Sequence, residues 1–167
     1  MQHLISAENI SILLKLGSAM LCGIILGTER TISHKAAGTR TYALVSMGAA
    51  LFIIIGDMVM KSYAGIAAFD PFHISSAIIS GIGFMGAGVI ILRGSSVTGL
   101  TTASGLWVAA GIGMACGYGF FALGFLGTFL TLAIFVVVWF LEQQVRKLPD
   151  THHHHPEEDK DLKDLIG

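Results

Sequence analysis

Five long apolar runs, with nearly all the charges of the chain gathered at their edges, leave few folds open to this sequence. The runs cover about 9–28, 41–60, 74–92, 101–118 and 120–141, and a hydrocarbon core of about 30 Å takes about 20 such residues as a helix. Charged residues make up 13% of the chain and hydrophobic ones 53%, with a mean hydropathy of +0.73. Soluble domains carry about 25% charged residues, so the pattern predicts an all-α integral membrane protein with five transmembrane helices. Short loops make neighbouring helices antiparallel. The boundary at Gly117-Tyr118-Gly119 is soft, and a four-span arrangement with a bent hairpin there is the competitor.

Residues 1–141 therefore form one transmembrane domain. Residues 142–167 form a short polar tail, too small for a core of its own and expected to be disordered. Met1 to Glu8 lacks the basic n-region of a cleaved signal. Cys22 and Cys116 both lie inside apolar runs and read as small buried hydrophobes, not as a disulfide.

Lysine and arginine placement sets the orientation. With five spans, Arg30, Lys35, Arg40, Arg93, Arg146, Lys147, Lys160 and Lys163 fall on one side, while Lys61 falls on the other and Lys15 lies within the first span. The basic loops and the C-terminus are thus expected in the cytoplasm, with the N-terminus outside. Tyr42 and Trp139 would sit at the inner interface and Tyr63 and Tyr118 at the outer one, with Trp107 packed deeper in the fourth span.

Small residues recur in the third and fourth spans. Thr101, Gly105, Ala109, Gly113 and Gly117 fall at every fourth position, a groove along one helix face that lets another backbone approach closely. Gly23 and Gly27 repeat that spacing in the first span. Gly81, Gly83, Gly86 and Gly88 lie in the run Ser80 to Ile90 (SGIGFMGAGVI) and fall on several faces. They predict a helix crowded on more than one side or locally distorted. A broken helix exposing carbonyls to a substrate is the sharper alternative. The lack of proline favours dense packing. The G-x-G-x-x-G spacing has no βαβ context and is not a dinucleotide site.

Asp57 is the one acidic group left inside an apolar run, and an intramembrane ionisable residue is a functional candidate by default. Lys15 and Asp57 both lie roughly 6–9 Å below the outer boundary at about 1.5 Å per residue, so they are expected to pair. At the opposite edge Glu29, Arg30, Lys35 and Arg40 are expected to form a juxtamembrane cluster, with Gly38 turning the chain and Thr41 capping the second helix. Arg93, Thr98, Gly99, Thr101 and Thr102 occupy a loop region on the same face. Together the two loops make a candidate surface for a partner or a headgroup. On the other side Asp70 and Pro71 read as N-cap and first residue of the third helix. His152, His153, His154 and His155 could bind a transition metal, although four consecutive histidines lack the spacing of a structural zinc site.

Gly27-Thr28-Glu29-Arg30, Lys35 through Thr41 (KAAGTRT), Leu44 through Leu51 (LVSMGAAL), Ser80 through Gly88 (SGIGFMGAG) and Gly99 through Ala103 (GLTTA) with Trp107 closely resemble the MgtC/SapB family of bacterial inner-membrane proteins. The likeness runs from about residue 10 to residue 140. It implies a polytopic domain of about five helices, linked to survival under magnesium limitation and to virulence, with Glu29, Arg40 and Asp57 at the family's characteristic charged positions. His73 and Ala77 depart from it, standing where relatives commonly have arginine and glutamine. The soluble ACT-type domain of longer relatives is also missing, which makes this a short form.

Two functions compete. In one, the protein is a non-enzymatic regulator that binds another membrane protein through its small-residue ladder. The resemblance suggests the F-type ATP synthase as partner, and self-association is a further possibility on the same surface. In the other, it is a transporter or channel for Mg²⁺ or another cation, with Asp57 on the route. No nucleophile–base pair appears, so no enzyme, cofactor or nucleic-acid partner is expected.

Overall fold

The computed structural model describes residues 7–63, 70 and 72–145. Pro71, the tail beyond residue 145, its histidine tract and its four cations lie outside them, as do residues 1–6. The order is α1 (Ala7–Ile32), α2 (Thr39–Ser62), α3 (Phe72–Val89), β1 (Ile91–Arg93), β2 (Ser96–Thr98), α4 (Leu100–Tyr118), α5 (Phe121–Ala133), a π-helical turn (Ile134–Val138) and α6 (Trp139–Val145). Five helices are long and apolar enough to cross a membrane, the last running Phe121–Leu141.

The four-span alternative fails at Gly119. This residue adopts φ +87°, a left-handed conformation that costs glycine little. Phe120 N–H donates to the Ala115 carbonyl at 2.8 Å and Gly119 N–H to Cys116 at 2.9 Å, the bond pattern of a Schellman stop. The fourth helix therefore ends and the fifth begins afresh.

α4 is the hub, with 61% of its apolar window buried against 11% for α3. Its glycines explain why. A Cβ on Gly113 would run into the Ser46 backbone of α2, and one on Gly117 would lie 2.9 Å from the Ala50 Cα. On the other side of α2, a Cβ on Gly23 would lie 2.7 Å from the Ala43 Cα, and one on Gly27 would lie 2.9 Å from the Gly38 carbonyl oxygen. Helix α2 is thus held backbone-to-backbone between α1 and α4. Tyr42, Ser46 and Ala50 of α2 meet Gly105, Gly113 and Gly117 of α4 in the same chain direction, so the two helices run parallel and start at the same end. Ser46 Oγ adds a 2.7 Å bond to the Ala19 carbonyl of α1.

Several expectations change. The ladder on α4 is filled by this chain's own α2, so it is not a free face for a foreign helix. α3 is the reverse of crowded. Gly86 alone among its glycines is buried, against Ala103, while among the described residues nothing lies within 4 Å of a Cβ added to Gly81, Gly83 or Gly88. α3 is also unbroken to Val89. The third loop is a β-hairpin. Thr101 and Thr102 belong to the first turn of α4, not to that loop. α1 runs a full turn past residue 28. Tyr42 is fully buried instead of marking an interface, and Trp107 is 53% exposed and faces outward.

The start of α2 is capped from outside its own sequence. Thr39 N–H donates to Thr31 Oγ1 at 3.0 Å, and the two hydroxyls lie 3.0 Å apart. Gly38 holds the N-cap position with no side chain to offer, so Thr41 is not the cap.

Candidate functional site

Helix α1 buries Cys22, Gly23, Leu26, Gly27 and Arg30, one stripe at the i, i+4, i+8 spacing of a helix face. Because the helix continues to Ile32, Arg30 points inward at the end of that stripe and is only 3% exposed. A buried arginine in a membrane domain is costly unless it is compensated. Here Arg30 Nε donates to Glu29 Oε2, and Glu29 Oε1 accepts the Ser33 hydroxyl at 2.7 Å. The guanidinium carbon sits 3.6 Å from the centroid of the Phe135 ring, within the range of a cation–π contact.

Phe135 comes from the π-helical turn, whose wider i→i+5 geometry inserts a residue and rotates the helix beyond it. It is the one buried residue of that turn. Gly105 of α4 leaves room for it, since a Cβ there would meet the Tyr42 phenol and lie 2.8 Å from Phe135 Cζ. The Tyr42 hydroxyl donates to the Thr102 carbonyl at 3.4 Å. One polar knot thus joins α1, α2, α4 and the last span at the end of the bundle where α2 and α4 begin. It is an internally matched ion pair under an aromatic lid. Glu29 spends both oxygens on Arg30 and Ser33.

The other expected members of this cluster lie outside it. Lys35 and Arg40 are exposed, and among the described residues neither forms an ion pair with Glu29. Lys35 donates its backbone N–H to the Arg30 carbonyl at 3.0 Å, and its charge also acts on Glu29 at longer range. Arg93 and Thr98 are on the hairpin, with Arg93 exposed, Gly99 is the N-cap of α4, and Thr101 is exposed while Thr102 is buried.

The expected Lys15–Asp57 pair is replaced by a local one. Asp57 Oδ2 accepts Lys61 Nζ at 2.7 Å within α2, with side-chain exposures of 38% and 72%. A lysine four residues on shares the same helix face and needs no second helix to bring it within reach. The Lys15 side chain lies instead beside the α4–α5 turn, its Cε 3.6 Å from a Cβ built on Gly119. Among the described residues no three His, Cys, Asp or Glu side chains gather as metal ligands.

Sequence reasoning placed Glu29 and Arg30 in the site and Thr102 on the adjoining loop surface, but missed Phe135 and Tyr42 as partners. The buried stripe from Cys22 to Arg30 was a usable signal for the arginine. Nothing local distinguishes Phe135 from the other aromatics of its span.

The MgtC family model matches residues 16–144. A protein of Escherichia coli K12 named "Putative magnesium transporter YhiD" is 38% identical over 142 residues, covering 82% of this chain and 63% of that protein. Protein MgtC of Salmonella typhimurium LT2 is 41% identical over 137 residues, covering 82% and 56%. Protein MgtC of Brucella abortus is 40% identical over 89 residues, covering 53% and 35%. The chain spans less than two thirds of the length of these relatives. No solved structure matches it.

Proposed function

Because this chain belongs to the MgtC family, we propose that its multi-pass domain works in the bacterial inner membrane as a non-enzymatic regulator docked on another membrane protein, in adaptation to magnesium limitation or in virulence. The basic loops then face the cytoplasm, as the lysine and arginine bias favours. One observation carries the reading. α3 is only 11% buried, and its Gly81 and Gly88, which share a helix face with Phe84 and Met85, meet no described residue within 4 Å of an added Cβ. Between membrane helices, close approach at small residues drives association. Gly17, Gly48 and Gly111 are open too, but singly on three other helices, whereas α3 carries several. A groove of about 440 Å³ between α2 and α3, lined by Phe52, Ile78, Gly81 and Met85 among others, flanks that face. The F-type ATP synthase is the partner the family suggests, and a second copy of the chain is the competing occupant.

Cation transport is the second reading, favoured by the name of the Escherichia coli relative. Against it, Glu29 and Asp57 sit at opposite ends of the bundle, and each is matched by a cation beside it. Mg²⁺ needs near-octahedral oxygen coordination, which two neutralised carboxylates so far apart do not supply.

Photo-crosslinking from Phe84 and Met85 in native membranes tests the docking face, and a heterologous adduct lost in Gly81→Leu supports it. Purified protein in proteoliposomes tests the alternative. Mg²⁺ flux that depends on Asp57, with no other protein present, would overturn the regulator reading.

A further inference from the structure

We propose that the β1–β2 hairpin is an interfacial lipid-binding element that lays its Leu92–Val97 face on an anionic bilayer surface. This is independent of which membrane protein, if any, occupies α3. The strands pair antiparallel with Leu92 opposite Val97, Ile91 opposite Thr98 and Arg93 opposite Ser96. Gly94, at φ +59°, supplies the first position of the two-residue turn, as a II′ hairpin requires. Side chains alternate across a strand pair. One face therefore carries the directly opposed Leu92 and Val97, while Arg93, Ser96 and Thr98 share the other with Ile91.

No described residue covers the apolar face, with Leu92 71% and Val97 47% exposed. In water an opposed apolar pair steadies a hairpin by at most about 1 kcal/mol and still leaves both side chains largely against solvent. The nearest apolar phase is the bilayer. β1 starts two residues after the end of α3, and β2 ends two residues before the start of α4, so both strands leave the hydrocarbon layer and return to it almost at once. Charge complementarity names the lipid. Lys35 and Arg40 are exposed at the same end of the bundle, because α2 and α4 start together, while Arg93 sits on the hairpin face turned from the bilayer. Clustered cations at that depth favour acidic headgroups.

The test places a nitroxide label at Leu92→Cys or Val97→Cys in the full chain, with Ser96→Cys reporting the opposite face. Cys22 and Cys116 are fully buried, so the unsubstituted chain serves as the unlabelled control. The protein is reconstituted in phosphatidylcholine vesicles with and without one part in three phosphatidylglycerol, and collisions with oxygen and with a water-soluble nickel chelate are compared. Oxygen should dominate at 92 and 97 and nickel at 96, with the preference at 92 and 97 strengthened by phosphatidylglycerol. Lys35→Gln and Arg40→Gln should each weaken that strengthening about fivefold, the effect of one basic residue at a charged surface, whereas Arg93→Gln, on the face turned from the bilayer, should change it less. Nickel access at 92 and 97 equal to that at 96 overturns the assignment. So does exclusion of both reagents, which would mean that protein covers the face, or an unchanged ratio when phosphatidylglycerol is added.

Discussion

Arg30 and Phe135 lie 3.6 Å apart, guanidinium carbon to ring centroid, and this contact fastens the last span to the first. The pair is buried on both sides, at 3% and 6% exposure. Removing the cation takes from Glu29, whose side chain is 16% exposed, its hydrogen-bonded counter-charge at the bundle end. Arg30→Met should therefore destabilise the folded domain by about 3–5 kcal/mol, the loss typical of a broken buried pair. Phe135→Leu should lose about 2 kcal/mol of cation–π attraction. A double-mutant cycle read by unfolding in detergent checks the coupling, and additive losses would remove it.

The glycines sort into two classes. Gly113→Ala forces a Cβ into the Ser46 backbone, where no flexible side chain can yield, and should cost about 1–3 kcal/mol as overpacking. Gly81→Ala and Gly88→Ala meet open space and should leave the purified protein's melting temperature unchanged or raised, since alanine is the better helix former. Equal losses at all three positions would contradict the assignment of α4 as the internal face.

Thr31 caps a helix that it does not belong to. Thr31→Val removes the acceptor of the Thr39 N–H and should cost about 1 kcal/mol, with faster hydrogen exchange confined to the first turn of α2. Thr41→Val should leave that exchange unchanged.

Asp57 and Lys61 form an exposed pair one helical turn apart. Asp57→Asn should leave the unfolding midpoint of the purified domain close to that of the unsubstituted chain. Combined with Lys15→Met, its effect should be additive. A coupling between positions 15 and 57 would restore the cross-helix pair that the structure replaces with a local one.

Much of the fold was legible because hydrocarbon is an exacting solvent. Apolar run length and the placement of the lysines and arginines sufficed for five spans, and Gly117-Tyr118-Gly119 marked the fourth boundary even though its φ could not be foreseen. The site was half legible. Glu29 and Arg30 stood out as charges at a helix edge, but their inward aim depends on where α1 stops, and a boundary shifted by one turn converts a loop arginine into a core one. Small residues at fourth positions announced close packing at Gly105, Gly113 and Gly117. The spacing says nothing of whether the approaching backbone is internal or foreign, which is why the ladder on α4 was open to misassignment and the glycines of α3 read as crowded. The π turn left no trace in Ile134–Val138, which is as apolar as the rest of its span.

The glycine contacts between α1 and α2 have a bearing on biogenesis. Gly23 and Gly27 meet residues 38–43, partners close by in the chain, so that hairpin can close while the ribosome is still translating the rest. α3 emerges next with little to hold on to, and must wait in lipid until α4 arrives to wedge against both α2 and itself. A disulfide between Thr31→Cys and Thr39→Cys, whose hydroxyls lie 3.0 Å apart, formed in chains arrested before residue 100, would reveal this order, and its absence until α4 is made would reverse it.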